Sequence, residues 1–131
     1  MATCRHYAMI ESDADKVWDL VGDPSLVATW APGIDSVTVE GNKRRAVRGG
    51  AIIVEEIVTI DPELRRLQYR FIEGEIMNPE FHLATIDVIE VGPRSLVIFS
   101  TDVTPDEYKT MIDAGLPRVL SGLKAYVEGT A

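Results

Sequence analysis

From Ile34 to Val103 the chain alternates apolar and polar residues, with glycine- or proline-bearing joints at intervals. A period of two belongs to strands with one buried face and one wet face. Six strand candidates follow: IDSVTVEG (34–41), KRRAVR (43–48), AIIVEEIVTI (51–60), LRRLQYRFI (64–72), FHLATIDVIEV (81–91) and SLVIFSTDV (95–103). They are rich in β-branched residues. The joints at Gly41-Asn42, Gly49-Gly50, Asp61 to Glu63, Glu73 to Pro79 and Gly92 to Arg94 carry turn chemistry. Consecutive strands joined this tightly form an antiparallel sheet.

Helical signals flank this block. CRHYAMIE (4–11) reads as a first strand. Ser12 or Asp13 then caps a short helix with Val17, Trp18 and Val21 on one face, ended by Gly22 and Pro24. Pro24 opens a second short helix bearing Leu26, Val27 and Trp30, and Pro32-Gly33 stops it. After the strands, TPDE (104–107) reads as a capping box with Pro105 at the first helical position. A wide apolar stripe runs from Tyr108 through Met111, Ile112, Leu116, Val119, Leu120, Leu123, Tyr126 and Val127, and Gly129 marks its stop. Pro117 removes one hydrogen bond inside this helix and is expected to kink it.

The chain of 131 residues is read as a single domain, 1–131, long enough to bury a core without metal or disulfide staples. Cys4 is the only cysteine, so no internal disulfide forms, and a reducing cytoplasm is the expected compartment. The opening residues lack a secretory apolar region, and no apolar run reaches membrane-spanning length. A net charge of -8 argues against nucleic acid as a partner. The one basic run, Asn42 to Arg48, reads as an exposed strand or turn.

This order of elements resembles the START-like superfamily, also called SRPBCC. That group includes the polyketide cyclase/dehydrase-like proteins, the birch pollen allergen group and the plant abscisic acid receptors. The resemblance is carried by IESDADKVWDLVGDPSLVATWAPGIDSV, VEEIVTIDPELRRLQY and SLVIFSTDVTPDE. It implies an α+β helix-grip fold: a strongly curved antiparallel sheet of about seven strands wrapped around the long C-terminal helix, with two short helices after the first strand. It also implies a cavity between sheet and helix.

Period two then sorts each strand into an inward and an outward set. His82, Ala84, Ile86 and Val88 form one set, with Thr85 and Asp87 assigned to solvent. Leu67, Tyr69 and Phe71 share a face, as do Val97, Phe99, Thr101 and Val103. In AIIVEEIVTI both faces carry a glutamate among apolar residues; the family spacing places Glu55 inward with Ile53 and Ile57. His82 is read either as a pocket residue or as a satisfied core histidine, and Glu55 either as a pocket carboxylate or as an exposed one. Trp18 and Trp30 are core residues by their spacing, with Trp30 the better ligand candidate because it adjoins the Pro32-Gly33 break. The expected ligand-binding set is Trp30, Glu55, Ile57, Tyr69, Phe71, His82, Phe99, Thr101, Met111, Leu116 and Leu120.

The sequence departs from the hormone receptors. Asp35 stands where they carry a carboxylate-binding lysine, RGGA replaces their gate sequence, and EGEIMNP replaces their latch. Hormone sensing of that kind is not supported. No phosphate loop, dinucleotide fingerprint, nucleophile elbow, zinc ligand set or Rieske-type centre is present, and no cofactor or metal is expected. Three functions remain. The first is binding of a small hydrophobic or amphipathic ligand (a lipid, polyketide or aromatic compound). The second is a cyclase or dehydratase using His82, Glu55 and Tyr69 as catalytic acid/base candidates. The third is a protein-interaction module, monomer or homodimer, with Tyr7 and Met9 on its outer face.

Overall fold

A computed structural model describes residues 1–129. Seven strands form one antiparallel sheet: β1 (Ala2–Ile10), β2 (Ile34–Glu40), β3 (Lys43–Arg48), β4 (Ala51–Asp61), β5 (Arg66–Gly74), β6 (Phe81–Val91) and β7 (Arg94–Thr104). Their order is β1-β7-β6-β5-β4-β3-β2, so only the β1–β7 pairing joins strands distant in sequence. α1 (Ala14–Val21) and α2 (Val27–Trp30, led by a 3-10 turn at Pro24–Leu26) follow β1. The long α3 (Lys109–Glu128) closes the described chain and runs unbroken through Pro117. This is the helix-grip arrangement.

Local chemistry sets the boundaries. Asp13, not Ser12, caps α1: its carboxylate accepts from the Lys16 amide at 2.8 Å. Gly129, at φ 72°, ends α3 in the left-handed conformation. The expected capping box at Thr104 does not form. Thr104 belongs to the sheet, paired with Phe81, and its carbonyl accepts from the Glu80 amide at 2.8 Å. Pro105 precedes a 3-10 turn over Asp106–Tyr108, which has no side-chain cap, and α3 starts only at Lys109. Sheet pairing outcompetes the local helix signal here.

α3 buries Ile112, Leu116, Leu120 and Leu123, a ridge at near-helical spacing. They join Val17, Val21, Val27, Trp30, Leu67, Ile86, Phe99 and Val103 in one core. Met111 and Tyr126, counted in the apolar stripe, are exposed. α3 also supplies partners to edge strand β1. Lys109 Nζ donates to the Thr3 carbonyl at 3.2 Å and Lys124 Nζ to the Met9 carbonyl at 2.6 Å. Glu128 accepts from the Glu11 amide at 2.9 Å. Such contacts blunt an edge that would otherwise offer unpaired groups. Tyr7 is exposed and Met9 half-buried, so only the first stands out to solvent.

Two assignments of faces change. Arg44 is only 3% exposed, although it lies in the basic run read as solvated. It alternates with Ala46, and both point into the core side of β3. Thr85, assigned to solvent, is buried, because Gln68 Nε2 reaches over it and donates to its hydroxyl at 3.0 Å.

Candidate functional site

The side chains that face α3 from the sheet do not fill the space beneath it. A cavity of about 460 Å³ remains, within the range that holds small organic ligands. β4 contributes Ile53 and Glu55, β5 Tyr69 and Phe71, β6 His82, and β7 Phe99 and Thr101. Ile76 and Met77 come from the loop after β5, and Met111 to Val119 of α3 form the opposite wall. A smaller chamber of about 90 Å³ adjoins it toward α2, lined by Trp30, Ala31, Arg44, Ala46, Leu67 and Ile86 among others. Arg48, Ile53, Glu55, Tyr69, Phe99 and Val119 belong to both.

A polar group stands where the chambers meet. Arg44 and Glu55 are direct partners in the β3–β4 register, and Arg44 Nε donates to Glu55 Oε1 at 2.8 Å. Arg44 also donates to the Pro24 carbonyl at 3.2 Å, tying the 3-10 turn before α2 to the sheet. Its guanidinium carbon lies 4.9 Å from the Tyr69 ring centroid, a cation–π contact. The surface Tyr69 retains faces the two chambers. Burial pushes its phenol pKa well above the ordinary value, and the Glu55 charge acts in the same direction.

His82 occupies a gap between strands. The β5–β6 ladder runs only from the Arg66/Asp87 pair to the Tyr69/Ala84 pair. Beyond it the strands part, and the Phe71 amide donates to His82 Nδ1 at 2.9 Å instead of to β6 backbone. A nitrogen that accepts carries no proton, so neutral His82 holds its hydrogen on Nε2. Burial lowers the imidazole pKa to about 4, so the ring is neutral at pH 7. Its ring lies 6.0 Å, centroid to centroid, from both Tyr69 and Phe71.

The mouth is built from loops and one helix face. The Gly49 and Gly50 turn has φ of 57° and 83°, a geometry that favours glycine. Asp35 accepts from the Gly49 amide at 2.9 Å and Glu75 from the Ile52 amide at 2.6 Å. Asp35 therefore braces a turn rather than facing a ligand. Arg48 and Arg118 line the larger cavity from β3 and α3. In the smaller chamber, Trp30 Nε1 is buried with no hydrogen-bond partner among the described residues.

Nine of the expected ligand-contacting residues line one or both chambers: Trp30, Glu55, Tyr69, Phe71, His82, Phe99, Thr101, Met111 and Leu116. Ile57 and Leu120 do not. Ile57 is half-buried against the core beside a register shift in β4. Leu120 is buried in the core. Arg44, Arg48 and Arg118 lie outside the expected set, while Ile76 and Met77 come from the Glu73 to Pro79 segment, which the sequence reading allows as a lip of the pocket beside the Gly49-Gly50 turn. Among the described residues no group of three or more His, Cys, Asp or Glu side chains is placed to hold a metal. No helix there is long and apolar enough to cross a membrane.

Comparison with solved structures finds the same fold widely. XoxI from Bacillus cereus aligns with a TM-score of 0.90 at 23% identity, covering 100% of this chain and 99% of that one. The di-domain ARO/CYC protein BexL from the BE-7585A biosynthetic pathway aligns with a TM-score of 0.83 at 20% identity, covering 98% of this chain and 47% of BexL. Norcoclaurine synthase from Thalictrum flavum, in complex with dopamine and hydroxybenzaldehyde, aligns with a TM-score of 0.75 at 18% identity, covering 99% and 88%. Likenesses at this identity show the fold. No curated protein matches the sequence. The family model described as polyketide cyclase / dehydrase and lipid transport matches residues 1–128. By that match over almost its whole length, the chain belongs to the polyketide cyclase/dehydrase and lipid transport family.

Proposed function

We propose that this protein binds a small amphipathic molecule in the chamber between α3 and the sheet. The observation that carries the reading is the cavity of about 460 Å³, walled mostly by apolar side chains, with Arg48, Glu55, Tyr69, His82, Thr101 and Arg118 as its polar points. The family description names lipid transport beside cyclisation and dehydration. The polar groups favour binding over acid/base turnover. The basic nitrogen of His82 is occupied by the Phe71 amide, and the Glu55 carboxylate by Arg44. His82 Nδ1 is therefore not available as a base and the Glu55 charge is balanced by Arg44, whereas the neutral His82 Nε2–H and the Tyr69 hydroxyl are suited to orient a ligand oxygen. Native mass spectrometry of protein purified from its own host, followed by mild organic extraction, tests the proposal. A retained small molecule of apolar character is the expected result. A bare protein mass that stays bare when fatty acids and polycyclic aromatics are added would overturn it.

A further inference from the structure

The charges that line the chamber run opposite to the charge of the chain, while the carboxylates of Asp35 and Glu75 at the mouth are engaged by the Gly49 and Ile52 amides. The protein carries a net charge of -8. The two chambers are lined by Arg44, Arg48 and Arg118 against a single carboxylate, Glu55, a local net of +2. Arg44 and Glu55 neutralise each other through their ion pair. The excess resides in Arg48 and Arg118, which form no ion pair among the described residues. They stand on opposite sides of the larger cavity, one at the end of β3 and one on α3. Arg48 lines both chambers. A cleft of one sign with low-dielectric walls concentrates ions of the other sign. Guanidinium groups hold carboxylates through paired, charge-assisted hydrogen bonds.

We propose that the cavity selects anionic amphiphiles, with a carboxylate head held between Arg48 and Arg118 and an apolar tail or ring system against Phe71, Phe99, Ile112 and Leu116. This deepens the binding reading above and rests on it. A head group at the mouth leaves the apolar wall for the tail. It also keeps the carboxylate near water, where its desolvation cost is smallest.

Laurate and dodecanol share one tail and differ in head-group charge, so they separate the two claims. Binding of each is measured at neutral pH and low salt by calorimetry or native mass spectrometry, below micelle-forming concentrations. The expected result is a preference for laurate of roughly tenfold or more, the scale of a charge-assisted contact. That preference should fall toward unity in the Arg48→Gln/Arg118→Gln double variant and shrink as salt is raised. Both arginines stand at the mouth rather than in the core, and a thermal melt confirms that the variant is folded. Equal binding of both compounds, or a preference that survives the double substitution, would overturn the anionic selection while leaving the cavity reading intact. Failure of both compounds to bind the wild-type protein would overturn the anionic selection, and the cavity reading falls with it when polycyclic aromatics fail to bind as well.

Discussion

Arg44 and Glu55 form an ion pair across neighbouring strands, with Arg44 Nε 2.8 Å from Glu55 Oε1 and side-chain exposures of 3% and 13%. Removing one member of such a buried pair strands the other charge, at a cost of about 3–5 kcal/mol. Arg44→Ala and Glu55→Ala are each expected to lower unfolding free energy by that amount in urea titrations. Arg44→Met/Glu55→Leu should cost clearly less than the two single losses combined, because no charge is left unpaired. Additive losses would show that the pair is not coupled.

His82 makes stability depend on pH. Its folded-state pKa is about 4, against an ordinary value of 6.5. The folded state therefore prefers the neutral ring. The contribution is fully present above pH 6.5 and is lost progressively as pH falls from 6.5 to about 4, where the folded protein also takes up the proton. The total is about 3 kcal/mol for a shift of this size. Denaturation measured across this window in wild type and in His82→Gln should show a steeper loss in wild type. Parallel curves would contradict the buried, neutral ring.

Much of this architecture is legible in the residue pattern. All seven strands overlap the segments read as strands, six of them from period two between turn residues, although β4 has no single clean buried face. The buried pair was legible in principle. A two-residue turn at Gly49-Gly50 sets Arg48 opposite Ala51, and the same register sets Arg44 opposite Glu55. What hid it was composition: an arginine in a run of basic residues looks solvated until its partner strand is counted. The His82–Phe71 contact is different in kind. It depends on β5 and β6 parting after Tyr69 and Ala84, and no local pattern encodes where a ladder ends. Thr104 shows the reverse error, a sound local helix signal overruled by sheet pairing.

Gly115 separates binding from stability. It lines the larger cavity, and a Cβ there would meet nothing within 4 Å. Gly115→Leu places a side chain in the chamber while removing a poor helix former, a change worth up to about 1 kcal/mol in favour of the fold. The expected outcome is an unchanged or raised melting temperature with loss of ligand binding. Retained binding at wild-type affinity would place the ligand elsewhere.

Gly122 tests how α3 is seated. A Cβ at this position would lie 2.5 Å from Pro32 Cδ and 2.7 Å from the Trp30 carbonyl oxygen. These atoms belong to backbone and ring and yield little. Gly122→Ala is expected to destabilise the protein by roughly 1–3 kcal/mol, the scale of overpacking in a close-packed interior. A stabilised Gly122→Ala variant would mean that α3 does not approach the α2 segment this closely.

The most direct measurement is an amide-resolved NMR titration of the wild-type protein with laurate, extended to the Trp30 indole N–H. The account predicts saturable, one-to-one shifts at Phe71, His82, Thr101 and Gly115, and at the indole if the tail reaches the smaller chamber, all absent in Gly115→Leu. Saturable shifts confined to the outer face of the sheet, or no saturable shifts at all, would contradict ligand binding in the chamber beneath α3.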